Sequence, residues 1–354
     1  IFCLTVPVQA QQGWQSEWEK TVQAAKKEGK LTVLTSYDEF LEAFKKEYPE
    51  IKTVSVTGKG SALWPRIMAE RRAGKYLADV MISGAFPPYP DMYKARVLDP
   101  IRPALILPEV TDQSKWYKSG HRYVDRASKY VFLHTSNPRG GSVSYNTKLV
   151  KPTEFKSYWD FINPKWRGKI VTFDPMAGRS QMRFLYFNPQ LGRKYLRQLL
   201  GEMDITISRN RRQPVDWLSV GKFAFCFFCQ RVTAAKAQGL PVDELTIPWK
   251  EGIDMSAKGF GVISLIDRHP HPNAAKVFIN WFLSRKGQLA FQRSFPSVDA
   301  PNSRRIDIPK DYLPISSRRL EGVNYVNMEH PKWLESKKDV VDFVKKVLKE
   351  AGKL

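Results

Sequence analysis

Cysteine is scarce, with three among 354 residues. A disulfide-built scaffold is therefore excluded, and a chain of this length does not need one. No run of about 18 apolar residues occurs, so no transmembrane helix is encoded. The chain has no Gly-x-Ser-x-Gly elbow, no His-Glu-x-x-His helix and no P-loop, which removes the motif-based case for an enzyme. The segment Gly58–Leu63 (GKGSAL) has the look of a dinucleotide loop but lacks its third glycine and the acidic residue downstream. The five histidines, His121, His134, His269, His271 and His330, show no metal-ligand spacing. There is no internal repeat and no low-complexity run. Acidic residues are outnumbered, 35 Asp+Glu against 57 Lys+Arg, for a formal net charge of +22. Such an excess favours acidic partners without naming them: nucleic acid, an anionic membrane or small anions.

Apolar residues make up 42% and charged residues 26% of the chain, enough for a substantial core. At about 150 residues per domain the length suggests two domains. The first twelve residues carry no charge, and Val8-Gln9-Ala10 has the small-x-small pattern that precedes signal-peptidase cleavage. Residues 1–12 are read as the remnant of a secretory signal peptide. Cys3 lies within it without a lipobox. Export makes nucleic acid a poor partner, and the basic residues are scattered, with only local clusters such as Arg71-Arg72 and Arg318-Arg319.

Periodicity then sets out the elements. Trp14, Trp18, Val22 and Ala25 mark a helix ending at Gly29. Strands are expected at residues 31–35, 53–57 and 78–83. The helices between them run from 39 to 48, with Asp38 as cap, and from about 62 to 73. Strand, helix, strand, helix, strand implies a parallel sheet, because parallel strands need crossovers. Further strands are expected at 142–146, 169–173, 222–229 and 259–265, a helix at 231–238, one long amphipathic helix at 272–291, and a basic helix beyond Pro331.

Four stretches carry a resemblance: Ala24–Ser36 (AAKKEGKLTVLTS), Ala78–Ser83 (ADVMIS), Trp159–Ile170 (WDFINPKWRGKI) and His271–Ser284 (HPNAAKVFINWFLS) with Gly287-Gln288. In this order and spacing the chain resembles the periplasmic substrate-binding proteins of ABC transporters, in particular the type II, ferric-iron-binding-like branch. The resemblance implies an α/β fold of two lobes joined by crossing strands, with the ligand in the cleft between them and hinge closure around it. It implies a first lobe of 13–138 and 250–300, a second lobe of 139–249, and a C-terminal helical extension of 301–354. It also implies a monomer that binds a small solute in the periplasm and delivers it to a membrane permease, with no catalysis and no cofactor.

Ligands of open α/β sheets gather at the carboxyl ends of strands. The candidate ligand residues are therefore Ser36 and Tyr37 after the first strand, Lys59, Gly60 and Ser61 after the second, and Ser83 and Gly84 after the third. In the second lobe they are Arg179 and Ser180, following Gly178, and Gln230 and Arg231. Small residues at a helix start beside a cation suit an anion, and an arginine fork suits carboxylate or phosphonate. The alternative is that these are ordinary turn and cap residues. Iron-binding relatives place an adjacent tyrosine pair where this chain has Phe227-Phe228-Cys229-Gln230-Arg231, and the early histidine of many members is replaced near Ser36-Tyr37. No metal site is expected, and an anionic organic solute is preferred. Ferric iron held by other ligands and a polyanion are the alternatives. Cys226 and Cys229 are read first as buried, unreactive thiols in a strand, with a disulfide that bends the strand end as the second reading. Trp64, Tyr89, Tyr145 and Trp249 are candidates for stacking on a planar solute.

Overall fold

A computed structural model describes residues 8–139, 143–177 and 180–354, and in it the apolar runs become strands of three sheets. The chain divides into two units, Ile1–Asn137 with Ala257–Arg318, and Pro138–Ser256 with Arg319–Leu354.

In the first unit, strands Lys30–Thr35, Lys52–Thr57 and Val80–Ser83 pair in parallel, with Lys30–Thr35 in the middle. Helices Leu41–Glu47 and Gly60–Arg72 connect them. The central strand is buried from Leu31 to Thr35, as expected of a parallel strand covered on both faces, whereas the edge strand is only half-buried. Val262–Ile266 returns from far along the chain to pair antiparallel with Val80–Ser83, and so gains the sheet partner that its own neighbourhood lacks. The core combines these strands with Phe40, Phe44, Phe278, Phe282 and Phe291. Helix Val8–Glu28 packs against helix Pro272–Leu283.

Two expectations are corrected here. The long helix expected at 272–291 is two, Pro272–Leu283 and Arg285–Arg293. Ser284 turns to an extended ψ of 166° and caps the second helix by accepting from the Gly287 N–H at 3.1 Å. Apolar spacing runs straight through this break, which is why periodicity hides it. Nor does Asp38 cap a helix with its side chain. The helix begins at Leu41, and the Asp38 carboxylate accepts from the Ser55 hydroxyl at 2.6 Å instead.

In the second unit, Ile170–Phe173 lies between Thr206–Ser208 and Phe225–Phe227, all parallel, and Val143–Asn146 and Val242–Glu244 extend the sheet antiparallel. Tyr325–Asn327 pairs in parallel with Ile253–Ser256. The C-terminal helix Lys337–Glu350 buries Val340, Val344, Val347 and Leu348. Among the described residues no helix is long and apolar enough to cross a membrane.

Candidate functional site

Parallel pairing sets the strand ends of the first unit level, because Thr35 lies opposite both Thr57 and Ile82. The segments leaving these strands therefore emerge side by side. The loop 257–260 joins them. The Ser36 hydroxyl donates to the Gly259 carbonyl at 3.3 Å, and a Cβ on Gly84 would stand 2.7 Å from the Lys258 carbonyl oxygen. A Cβ on Gly60 would likewise meet Pro87 at 2.6 Å. Both glycines thus permit close packing of the loops that carry the site.

Within this cluster Ser36, Lys59 and Ser61 are exposed. Lys59 is the N-cap residue of the 13-residue helix Gly60–Arg72, and its side chain makes no capping hydrogen bond. Among the described residues no side chain is seen to accept from the helix's first-turn N–H groups, and with the positive dipole end this is a setting favourable to an anion. Ser83 is buried, and its hydroxyl donates to the Gly84 carbonyl at 2.9 Å. Tyr37 stacks on Phe295 at 3.9 Å between ring centroids, and its hydroxyl lies within reach of the Glu39 carboxylate, at 2.7 Å, and of the Ser294 carbonyl. Burial, followed by the hydrogen bond to Glu39, pushes the phenol up to about 12, so it stays protonated.

The loop 257–260 rests on a buried network. His134 contacts the Phe260 carbonyl through Nε2 at 3.0 Å, and its Nδ1 accepts from the Gln288 amide at 3.2 Å. Gln288 in turn accepts from the Ser303 hydroxyl at 2.7 Å. Burial holds the imidazole down to about 3 despite these bonds, so it is neutral.

In the second unit, Thr172 lies opposite Phe227, so the chain leaving Ile170–Phe173 and the chain leaving Phe225–Phe227 emerge on one sheet edge. The first leads to helix Ser180–Phe187. Arg179 lies outside the described residues, as does the side chain of Ser180. The second leads through Phe228, at φ +60°, to a half-buried Gln230 and an exposed Arg231 at φ +64°. This left-handed turn corrects the first reading of the cysteines. It folds the chain back at the strand end, and Cys226 and Cys229 form a disulfide with Cα atoms 5.7 Å apart. Strict strand alternation would have kept them on opposite faces. Replacing both cysteines with serine is expected to lower stability by about 2 kcal/mol, the loop-closure entropy of so small a ring. Urea unfolding of this variant beside the oxidised wild type measures it, and equal midpoints would discount the cross-link.

Of the aromatic candidates, Tyr89, Tyr145 and Trp249 are buried and serve the core, with Trp249 4.7 Å from the Tyr158 ring, while Trp64 is half-buried. Among the described residues no cluster of His, Cys, Asp or Glu is arranged to hold a metal. A buried cation not singled out in the sequence, Arg183, 6% exposed, lies on the helix that starts at Ser180 and has Glu329 as an opposite charge.

Residues 39–298 match a family described as bacterial extracellular solute-binding protein. A relative from Haemophilus influenzae, an uncharacterized protein, is 24% identical over 319 residues, covering 85% of this chain and 86% of its own. Among solved structures, the Trichodesmium protein IdiA (FutA) in complex with iron and citrate aligns with a TM-score of 0.66 at 16% identity, over 90% of this chain and 99% of that one. The ferric binding protein from Campylobacter jejuni aligns at 0.61 with 15% identity, over 90% and 99%. AfuA from Actinobacillus pleuropneumoniae, with exogenous fructose-6-phosphate bound, aligns at 0.58 with 17% identity, over 92% and 99%. At such identities the likeness establishes the α/β fold of the type II periplasmic binding proteins. The family match spans well over half of the sequence, and the chain belongs to the bacterial extracellular solute-binding proteins.

Proposed function

We propose that this protein captures a small anionic organic solute, a carboxylate or phosphonate, outside the cytoplasm and delivers it, as a monomer, to an ABC permease without catalysing a reaction. One observation carries the choice of an anion: two level strand ends deliver Ser36, Lys59 and Ser61 to the N-terminus of helix Gly60–Arg72, whose N-cap residue makes no capping bond with its side chain. In the second unit the candidates for the same chemistry, by their place after the strands, are Arg179, Ser180, Gln230 and Arg231. The missing tyrosine pair argues against ferric iron as the solute itself.

A thermal-shift panel of carboxylates, phosphonates, sugar phosphates, neutral sugars and ferric citrate tests this, since a ligand of the folded state raises its melting temperature. Anionic organic solutes are expected to give the largest shifts. Arg179→Ala is expected to weaken the best of them about tenfold or more, as the loss of a charge-assisted fork should. A response confined to neutral sugars, or an unchanged affinity in Arg179→Ala, would remove the anion from the proposal. A visible charge-transfer band on adding ferric iron alone would replace it with metal capture.

A further inference from the structure

The three parallel strands of the second unit end level with one another. Thr172 lies opposite both Phe227 and Ile207, and Phe173 lies opposite Ser208. The segment leaving Thr206–Ser208 therefore emerges at the same sheet edge as the one carrying Gln230 and Arg231. That segment is Arg209-Asn210-Arg211-Arg212, and all four residues are exposed. Polar side chains of the chain itself fix its backbone. The buried Ser208 hydroxyl donates to Gln213 Oε1 at 2.7 Å and accepts from the Asn210 N–H at 3.2 Å. Asn210 Oδ1 accepts from the Arg212 N–H at 2.9 Å and from the Gln213 N–H at 3.3 Å.

The arginines of this segment are not alike. Arg212 lies 3.6 Å from the carboxylate of Asp216, on the helix Gln213–Ser219 that follows. Arg209, Arg211 and the equally exposed Arg231 have no ion-pair partner among the described residues. Asp174 also leaves this edge, after Ile170–Phe173, and its carboxylate accepts from the Met176 N–H at 2.9 Å. Three unpartnered cations against one carboxylate leave the edge positive. Like charges gathered in this way repel, and a singly charged solute offsets only one of them. A solute with two or more negative charges offsets the excess. We infer that Arg209 and Arg211 determine specificity, selecting a multiply charged anion, such as a dicarboxylate, a tricarboxylate or the dianion of a phosphonate, over singly charged ones. The inference deepens the proposed capture of an anion and rests on it.

Calorimetric titration of the full chain at fixed ionic strength tests it, with succinate and succinamate as probes beside the best panel anion. Succinamate keeps the succinate frame with one carboxylate turned into an amide. The wild type is expected to prefer succinate about tenfold. Arg209→Gln combined with Arg211→Gln is expected to weaken succinate about tenfold and to leave succinamate within about twofold, which removes the preference. Both side chains are exposed, so the urea midpoint should not move. The double lysine variant keeps the charge and is expected to restore the preference. Lys345→Gln with Lys349→Gln removes the same net charge from an exposed part of helix Lys337–Glu350 and is expected to change nothing. A singly charged best anion, or a wild type without preference between the probes, overturns the selectivity. So does an Arg209/Arg211 variant that keeps the preference, that loses both probes equally, or that behaves as the Lys345/Lys349 variant does. A wild type that binds no anion overturns the proposed function and the selectivity together. Anion binding weakened in Arg179→Ala but untouched in the Arg209/Arg211 variant overturns the selectivity alone.

Discussion

Asp79→Ala is expected to destabilise the first unit by about 3–5 kcal/mol, the cost of breaking a buried, hydrogen-bonded charge cluster. The Asp79 side chain is fully buried and accepts three hydrogen bonds from two distant parts of the chain. The Thr32 N–H donates at 2.7 Å, the His271 N–H at 2.9 Å and His271 Nδ1 at 2.9 Å. Its own backbone adds two more links, to Thr32 and Ile266. One carboxylate thus ties the central strand, the start of Val80–Ser83 and the first turn of helix Pro272–Leu283. Burial outweighs its donors and raises its carboxyl above the usual range, a sign of how little solvent compensates it. Alanine leaves three donors without an acceptor in a space water cannot readily enter. Urea unfolding measures the effect, and a midpoint within experimental error of wild type would show that the cluster relaxes at no cost.

The second large effect is a loss of stability in mild acid. His134 is held to about 3 by burial, below the value of about 6.5 of an unfolded chain. The unfolded protein therefore takes up a proton that the folded protein refuses. The contribution is fully present above about pH 6.5 and is lost as pH falls from there toward about 3. At pH 5 the loss from this residue is about 2 kcal/mol. His121, lowered first by burial, acts in the same direction. Urea midpoints at pH 7.5 and pH 5, compared between wild type and His134→Gln, isolate the effect because the other titrating groups are common to both. His134→Gln is expected to lose about 2 kcal/mol less over this interval. Parallel pH dependence in the two proteins would mean that folding leaves the affinity of His134 for its proton unchanged. His134 also supports the Phe260 carbonyl, beside the Gly259 that receives Ser36, so acid should loosen the proposed solute site as it weakens the fold.

These two residues show where sequence reading stops. Asp79 and His271 both belong to stretches that carried the resemblance, yet nothing in either stretch says that they meet, 192 positions apart. His134 has no partner at any characteristic spacing because its partners, Gln288 and Phe260, come from the returning part of the first unit. The disulfide stood only second among the readings of the two cysteines for a related reason. Alternation separates Cys226 from Cys229 only while the strand continues, and the left-handed Phe228 ends it.

What the residues determined alone is local and periodic. Buried runs such as Leu31–Thr35 and Val262–Ile266 had to become strands, the crossover order had to make the first three parallel, and the ordered motifs identified the family. Level strand ends then put Ser36, Lys59 and Ser61 within one region, as the rule for open sheets anticipates. The tertiary structure decided what each of those groups is free to do. Ser83 and Tyr37 are drawn into internal hydrogen bonds and packing, while Ser36, Lys59 and Ser61 face solvent. It also placed the C-terminal segment, whose amphipathic helix announces an apolar face but not its partner. Periodicity is a property of one segment; burial and pairing are properties of two, and only the folded chain brings the second one into contact.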